Sequence, residues 1–102
     1  MTLAEHSRCS NAALKLVGDY WVLRIVEELS LSEKGSRFSE LQRSLGGASP
    51  ATLSNRLRRL EVQGLVDRDD APGKLCVVYT LNERGNRVLP VIRAITDFAT
   101  AE

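Results

Sequence analysis

The stretch "SPATLSNRLRRLEVQGLV", Ser49 to Val66, decides the fold. Leu53, Leu57 and Leu60 recur at i, i+4 and i+7, which lines them along one stripe of an α-helix. Ser49 is a favoured N-cap, Pro50 fits the first turn where its missing N–H costs nothing, and Gly64 suits the position just past the end. The face opposite the leucines carries Ala51, Asn55, Arg58 and Arg59, flanked by Thr52 and Arg56, with no acid among them. Such a helix has an apolar side to pack and a basic, hydrogen-bonding side to present.

Upstream, "RFSELQRSL" repeats the pattern over a shorter span, with Ser39 predicted as cap, Leu41 and Leu45 facing inward, and Gly46 and Gly47 ending the segment. Two short helices joined by a tight glycine-containing turn make a helix-turn-helix. Before them, Asp19 is placed to cap "YWVLRIVEELSL", where Trp21, Ile25 and Leu29, with Val22 and Val26 beside them, are predicted to enter the core. A shorter helix over 11–17 stops at Gly18.

Downstream of Gly64 the apolar period changes from that of a helix to that of a strand. Val66 and Arg68 alternate on one side of "DDAPGK", and Val77, Tyr79 and Leu81 on the other, a β-hairpin turning at Pro72 and Gly73. A last helix capped by Asn82 is predicted over 83–101, bent at Pro90. The expected fold is mainly α with a small β-hairpin: a winged helix-turn-helix with additional N- and C-terminal dimerisation helices. Residues 1–102 read as one domain, with 1–9 a flexible arm and 82–101 the C-terminal dimerisation helix.

The chain has 14 Lys and Arg against 13 Asp and Glu, so total charge says little about an anionic partner. Its distribution says more: from Arg37 to Arg59 there are five arginines and one acid, Glu40. A local basic stretch in a nearly neutral chain is the electrostatic footprint of a nucleic-acid binder, and equally that of a solvated helix face. The N-terminal stretch lacks the apolar run of a secretory signal and no segment is long and apolar enough to span a membrane, so a cytoplasmic protein with no membrane partner is expected. Two cysteines, Cys9 and Cys76, are too few for a disulfide scaffold and have no zinc-type spacing, and His6 has no metal-binding companions. With no nucleophile elbow, phosphate-cradling loop or acid cluster, the chain is expected not to be an enzyme, and no cofactor or metal is expected.

Together "LVGDYWVLRIVEEL", "RFSELQRSL", "SPATLSNRLRRLEVQGLVDR", "VYTLNERG" and "VLPVI" resemble, in order and separation, the HxlR-type regulators, a bacterial winged-helix branch near the MarR group. The resemblance covers roughly residues 9–98. It implies a homodimer that binds inverted-repeat operator DNA, and in several members a response to oxidants or electrophiles through a cysteine near the N-terminus. Cys9 stands at that position, followed by Ser10 where the family usually has proline. Its place before a helix would favour the thiolate, and Cys76 is either an inert apolar residue or a disulfide partner.

On this reading Ser49, Pro50, Ala51, Thr52, Asn55 and Arg56 approach bases in the major groove of double-stranded DNA, and Arg58 and Arg59 grip phosphates. Arg37, Ser39, Gln42 and Arg43 of the first motif helix and its approach fix orientation on the backbone, unless Gln42 and Arg43 are ordinary surface. Arg68 and Lys74 would bring charge from the wing, against which stand Asp67, Asp69 and Asp70. Leu14, Val88, Val91, Ile92, Ile95 and Phe98 exceed what so small a domain covers and are assigned to the dimer interface. Two other readings remain open: a regulator gated by a small molecule between the terminal helices and the DNA-binding core, and a winged-helix protein-interaction module.

Overall fold

The computed structural model describes residues 11–70 and 77–101. Helix α1 covers 11–17, α2 Tyr20–Ser30, α3 Phe38–Leu45, α4 Pro50–Val62, α5 Glu83–Asn86 and α6 Leu89–Thr100. Strands β1 Ser36–Arg37, β2 Val66–Asp69 and β3 Val78–Leu81 form an antiparallel sheet in the order β1-β3-β2. The expected arm (1–9), Lys74 and both cysteines lie outside the described residues.

Helix α2 is the centre of the core. Val22, Ile25, Val26 and Leu29 are buried along it, against Leu41 and Leu45 of α3 and Leu53, Leu57 and Leu60 of α4. Leu65 and Val66 close the core where β2 begins. Each such side chain contributes about 1.5–3 kcal/mol when fully buried, so the leucine spacing of α4 is what fixes its roll on α2. Trp21 does not join these residues: it is half-buried at the core's edge, edge-on to Tyr20 with ring centroids 4.9 Å apart. The buried stripe runs through the β-branched positions beside it, so the bulky indole covers the core rather than filling it.

The cap of α3 differs from expectation. Arg37, not Ser39, is the N-cap residue, and its N–H donates to Glu40 Oε1 at 2.9 Å, half of a capping box. Helix α3 therefore starts at Phe38, and Ser36–Arg37 pair with Val78 and Tyr79 as a third strand, so the predicted hairpin is a three-stranded sheet. A two-residue strand has no alternation to detect. The α3–α4 turn passes through Gly47 at φ 104°, a backbone conformation that glycine adopts without steric cost.

The predicted terminal helix is broken rather than bent. Asn82 caps α5 as expected, its Oδ1 accepting from Gly85 N at 2.9 Å, but α5 ends at Asn86 and α6 begins at Leu89 with Pro90 in its first turn. Proline cannot donate to the carbonyl of Asn86, so the chain restarts at the position where Pro is tolerated. Gly85 lies so close to the Leu65 carbonyl and the Leu81 side chain that a Cβ there would collide with both.

Candidate nucleic-acid interface

Helices α3 and α4 and strands β2 and β3 form a helix-turn-helix followed by a wing. Ser49 caps α4, its Oγ accepting from Thr52 N at 3.1 Å and donating to Thr52 Oγ1 at 2.9 Å. This commits Ser49 to the helix end, beside Pro50 and Ala51, which are exposed. One turn on, Asn55 and Arg58 are exposed on the same face. Ser39 and Arg43 are exposed on α3, Gln42 is half-buried there, and Arg37 is exposed where β1 meets α3.

Arg56 and Arg59 are placed differently from expectation. The acid-free face of α4 receives an acid from another element: Asp19 Oδ2 accepts from Arg56 Nε at 3.1 Å and lies 3.7 Å from Arg59 Nη1. Both guanidiniums fold back toward the α1–α2 junction, and only 30% and 35% of their side chains remain exposed. Arg56 Nη1 also donates to Asn55 Oδ1 at 3.1 Å. Asp19 is legible in sequence as a cap, and it is one, accepting from Val22 N through Oδ1 at 3.1 Å. Its second oxygen and that oxygen's partner 37 positions away carry no sequence signal.

Among the described residues the wing is acidic, with Asp67, Asp69 and Asp70 against Arg68. Arg68 Nη1 pairs with Asp70 Oδ2 at 2.6 Å, and Arg68 faces Tyr79 across the β2–β3 ladder. The hydrogen bond with Tyr79, and then the Asp70 carboxylate, raise the Arg68 pKa above its ordinary value. Ser54, Arg58, Glu61, Arg68 and Tyr79 line a groove of about 300 Å³ between α4 and the wing. In sequence Tyr79 is only an alternating strand residue, and its place in this groove follows from the register.

The apolar stripe assigned to a dimer contact divides. Leu14, Ile95 and Phe98 are 61%, 48% and 84% exposed, and Val91 is exposed as well. Val88 instead is buried in the chain's own core, because the break before α6 turns it inward, and Ile92 is half-buried against that core. A second groove, about 380 Å³, lies between α1 and α5–α6, with an apolar lining including Leu16, Val17 and Val91 and with Arg84 and Arg87. Among the described residues no helix is long and apolar enough to cross a membrane.

Residues 16–102 match the HxlR-like helix-turn-helix family. The chain is 34% identical over 89 residues to YvaP, a helix-turn-helix-type transcriptional regulator of Bacillus subtilis (strain 168), covering 86% of this chain and 81% of that one. The reduced form of the B. subtilis transcriptional regulator YodB is similar in structure, with a TM-score of 0.77 and 28% identity over 97% of this chain and 91% of YodB. The quinone-bound form of YodB gives a TM-score of 0.76 and 26% identity over 90% of this chain and 96% of YodB.

Proposed function

The chain belongs to the HxlR-like helix-turn-helix family of transcriptional regulators, and on that premise we propose that it is a dimeric, sequence-specific DNA-binding regulator responsive to oxidants or electrophiles through Cys9. The observation that carries the DNA reading is the exposed face of α4: Ala51, Asn55 and Arg58 stand clear of the core, above an end capped by Ser49, with Glu61 in the groove beyond Arg58 as the one acid of the helix. Asn55 has the amide geometry that pairs with adenine, and Arg58 opens onto the groove toward the wing, where a phosphate backbone would run. Arg37, Ser39 and Arg43 supply further backbone contacts from α3. The site of action is the cytoplasm, where the DNA is.

Leu14, Val91, Ile95 and Phe98 form the surface for a second copy, with Ile92 at its inner margin. A two-fold dimer sets two α4 helices about 34 Å apart, one turn of duplex, and so reads an inverted repeat. Support for a thiol response comes from YodB, known in reduced and quinone-bound forms, and from Cys9, which precedes α1 in the chain. A covalent change next to a dimer-forming element alters the spacing of the two reading helices.

The test is fluorescence anisotropy with labelled DNA from upstream of the chain's own gene against scrambled DNA, with protein reduced or treated with a thiol oxidant. Selective binding that weakens on oxidation, and no longer does so in Cys9→Ser, is the expected result. Selective binding that ignores oxidant favours a second reading, gating by a small molecule in the groove lined by Arg84 and Arg87. Equal, salt-insensitive behaviour on both DNAs favours a protein-interaction module.

A further inference from the structure

Asp19 is joined to Asn55 through Arg56. The carboxylate is fixed first by its own helix, because Oδ1 caps α2 by accepting from Val22 N at 3.1 Å. Its other oxygen holds Arg56 Nε at 3.1 Å, and Arg56 Nη1 donates to Asn55 Oδ1 at 3.1 Å. Arg59 stands behind, 3.7 Å from the same carboxylate oxygen. The relay runs from the half-buried cap of α2 to an exposed amide on the outward face of α4. A guanidinium is planar and its N–H directions are set by the plane, so a carboxylate on the Nε edge fixes where Nη1 points.

We propose that Asp19 and Arg56 are positioning residues that orient the Asn55 amide as a base-reading group, and that Arg56 is not itself a phosphate contact. With Oδ1 accepting from Arg56, the two Nδ2 hydrogens are directed away from the guanidinium, and Oδ1 keeps a second lone pair. An amide so fixed offers one donor and one acceptor side by side, the pattern complementary to the major-groove edge of adenine. Free rotation would let the same amide exchange donor and acceptor and lose discrimination. The proposal rests on α4 being the DNA-reading helix.

The experiment is selection of duplex DNA from a random pool by the full chain, in parallel for wild type, Asn55→Ala, Asp19→Asn, Arg56→Met and Arg56→Lys, with binding then measured across salt concentrations. Asp19→Asn keeps a good capping oxygen for α2 while removing the carboxylate from Arg56 and Arg59, and Arg56→Lys keeps the charge while removing the planar fork. The expected result is that all four variants lose preference at the same base pair of each half-site, by roughly tenfold in discrimination, and keep it elsewhere. The salt dependence of Arg56→Met is expected to match wild type, whereas Arg58→Met, titrated beside it as the phosphate-contact control, lowers the slope by about 0.9 for each phosphate that Arg58 neutralises.

The proposal is overturned if Asp19→Asn and Arg56→Met weaken every position equally, since the pair then only fastens α4 to α2. It is also overturned if Arg56→Lys selects like wild type while Arg56→Met loses a phosphate's worth of slope, since Arg56 then binds DNA directly. Circular dichroism identifies any variant that fails to fold; if only Arg56→Lys folds, its selecting like wild type overturns the proposal and its loss of preference at a single base pair of each half-site supports it. Wild type enriching no sequence brings down the DNA reading itself and this proposal with it, an outcome separable from the others because it precedes any mutation.

Discussion

The side-chain amide of Asn82 donates to the carbonyl oxygen of Gly64 at 2.9 Å, binding the start of α5 to the end of α4. The same nitrogen donates to Asp67 Oδ1 at 3.2 Å, and the amide oxygen caps α5. One residue thus ties the end of α4, the wing and the C-terminal segment. Asn82→Ala is expected to cost about 2 kcal/mol, from the missing cap together with a carbonyl left without its donor. Urea unfolding checks it, as a lower midpoint at unchanged slope. Asn82→Asp keeps the cap but sets a carboxylate against the Gly64 carbonyl and Asp67, so it is expected to fall below wild type as well.

Charge changes around the groove between α4 and the wing should separate by partner. Arg58 is exposed and Arg68 is paired with Asp70. Arg58→Ala is therefore expected to weaken DNA binding on every sequence and to reduce the salt slope by about 0.9 per phosphate neutralised. Arg68→Ala should do less, and Asp70→Asn should strengthen binding, by about two- to fivefold at low salt, because it frees a cation at the wing. Equal losses for Arg58→Ala and Arg68→Ala, measured by anisotropy titration over salt, would place the DNA differently.

The large elements are legible because their signals are local. Leu53, Leu57 and Leu60 repeat at helical spacing, Ser49 and Asn82 cap the helices they precede, and all three leucines are buried as expected. What is not legible depends on distant partners. Strand β1 is two residues that become a strand only because β3 lies beside them, and for the same reason the cap of α3 falls to Arg37 and not to Ser39. Arg56 and Arg59 look like free cations until Asp19 is brought across to them by the packing of α2 on α4. Val88 has helical spacing with Ile92 and Ile95, but the break before Leu89 rotates it into the core.

Phe98 tests the proposed association. With 84% of it exposed on α6, an aspartate there should leave the monomer's fold intact and abolish dimer formation. Sedimentation velocity of wild type and Phe98→Asp reads the two masses directly. A wild-type monomer, or a variant dimer, would remove this surface from the interface.

Leu57 tests the core independently of any partner. It is 1% exposed on the α2-facing stripe of α4, so Leu57→Ala should cost about 2–5 kcal/mol, a large part of what a domain of this size has. Thermal unfolding by circular dichroism is the measurement. A change under about 1 kcal/mol would mean the site collapses around the missing atoms.

Asp19 and Asp70 between them answer for three of the arginines around the reading face, and this bears on how the protein would travel along a chromosome. Random duplex retains a protein in proportion to the cations it can set against phosphates. A surface that engages part of its cations internally, and leaves Arg37, Arg43 and Arg58 for phosphates, is released sooner from wrong sites than one presenting every arginine. Contacts to the bases then take a larger share in deciding how long it stays on a target.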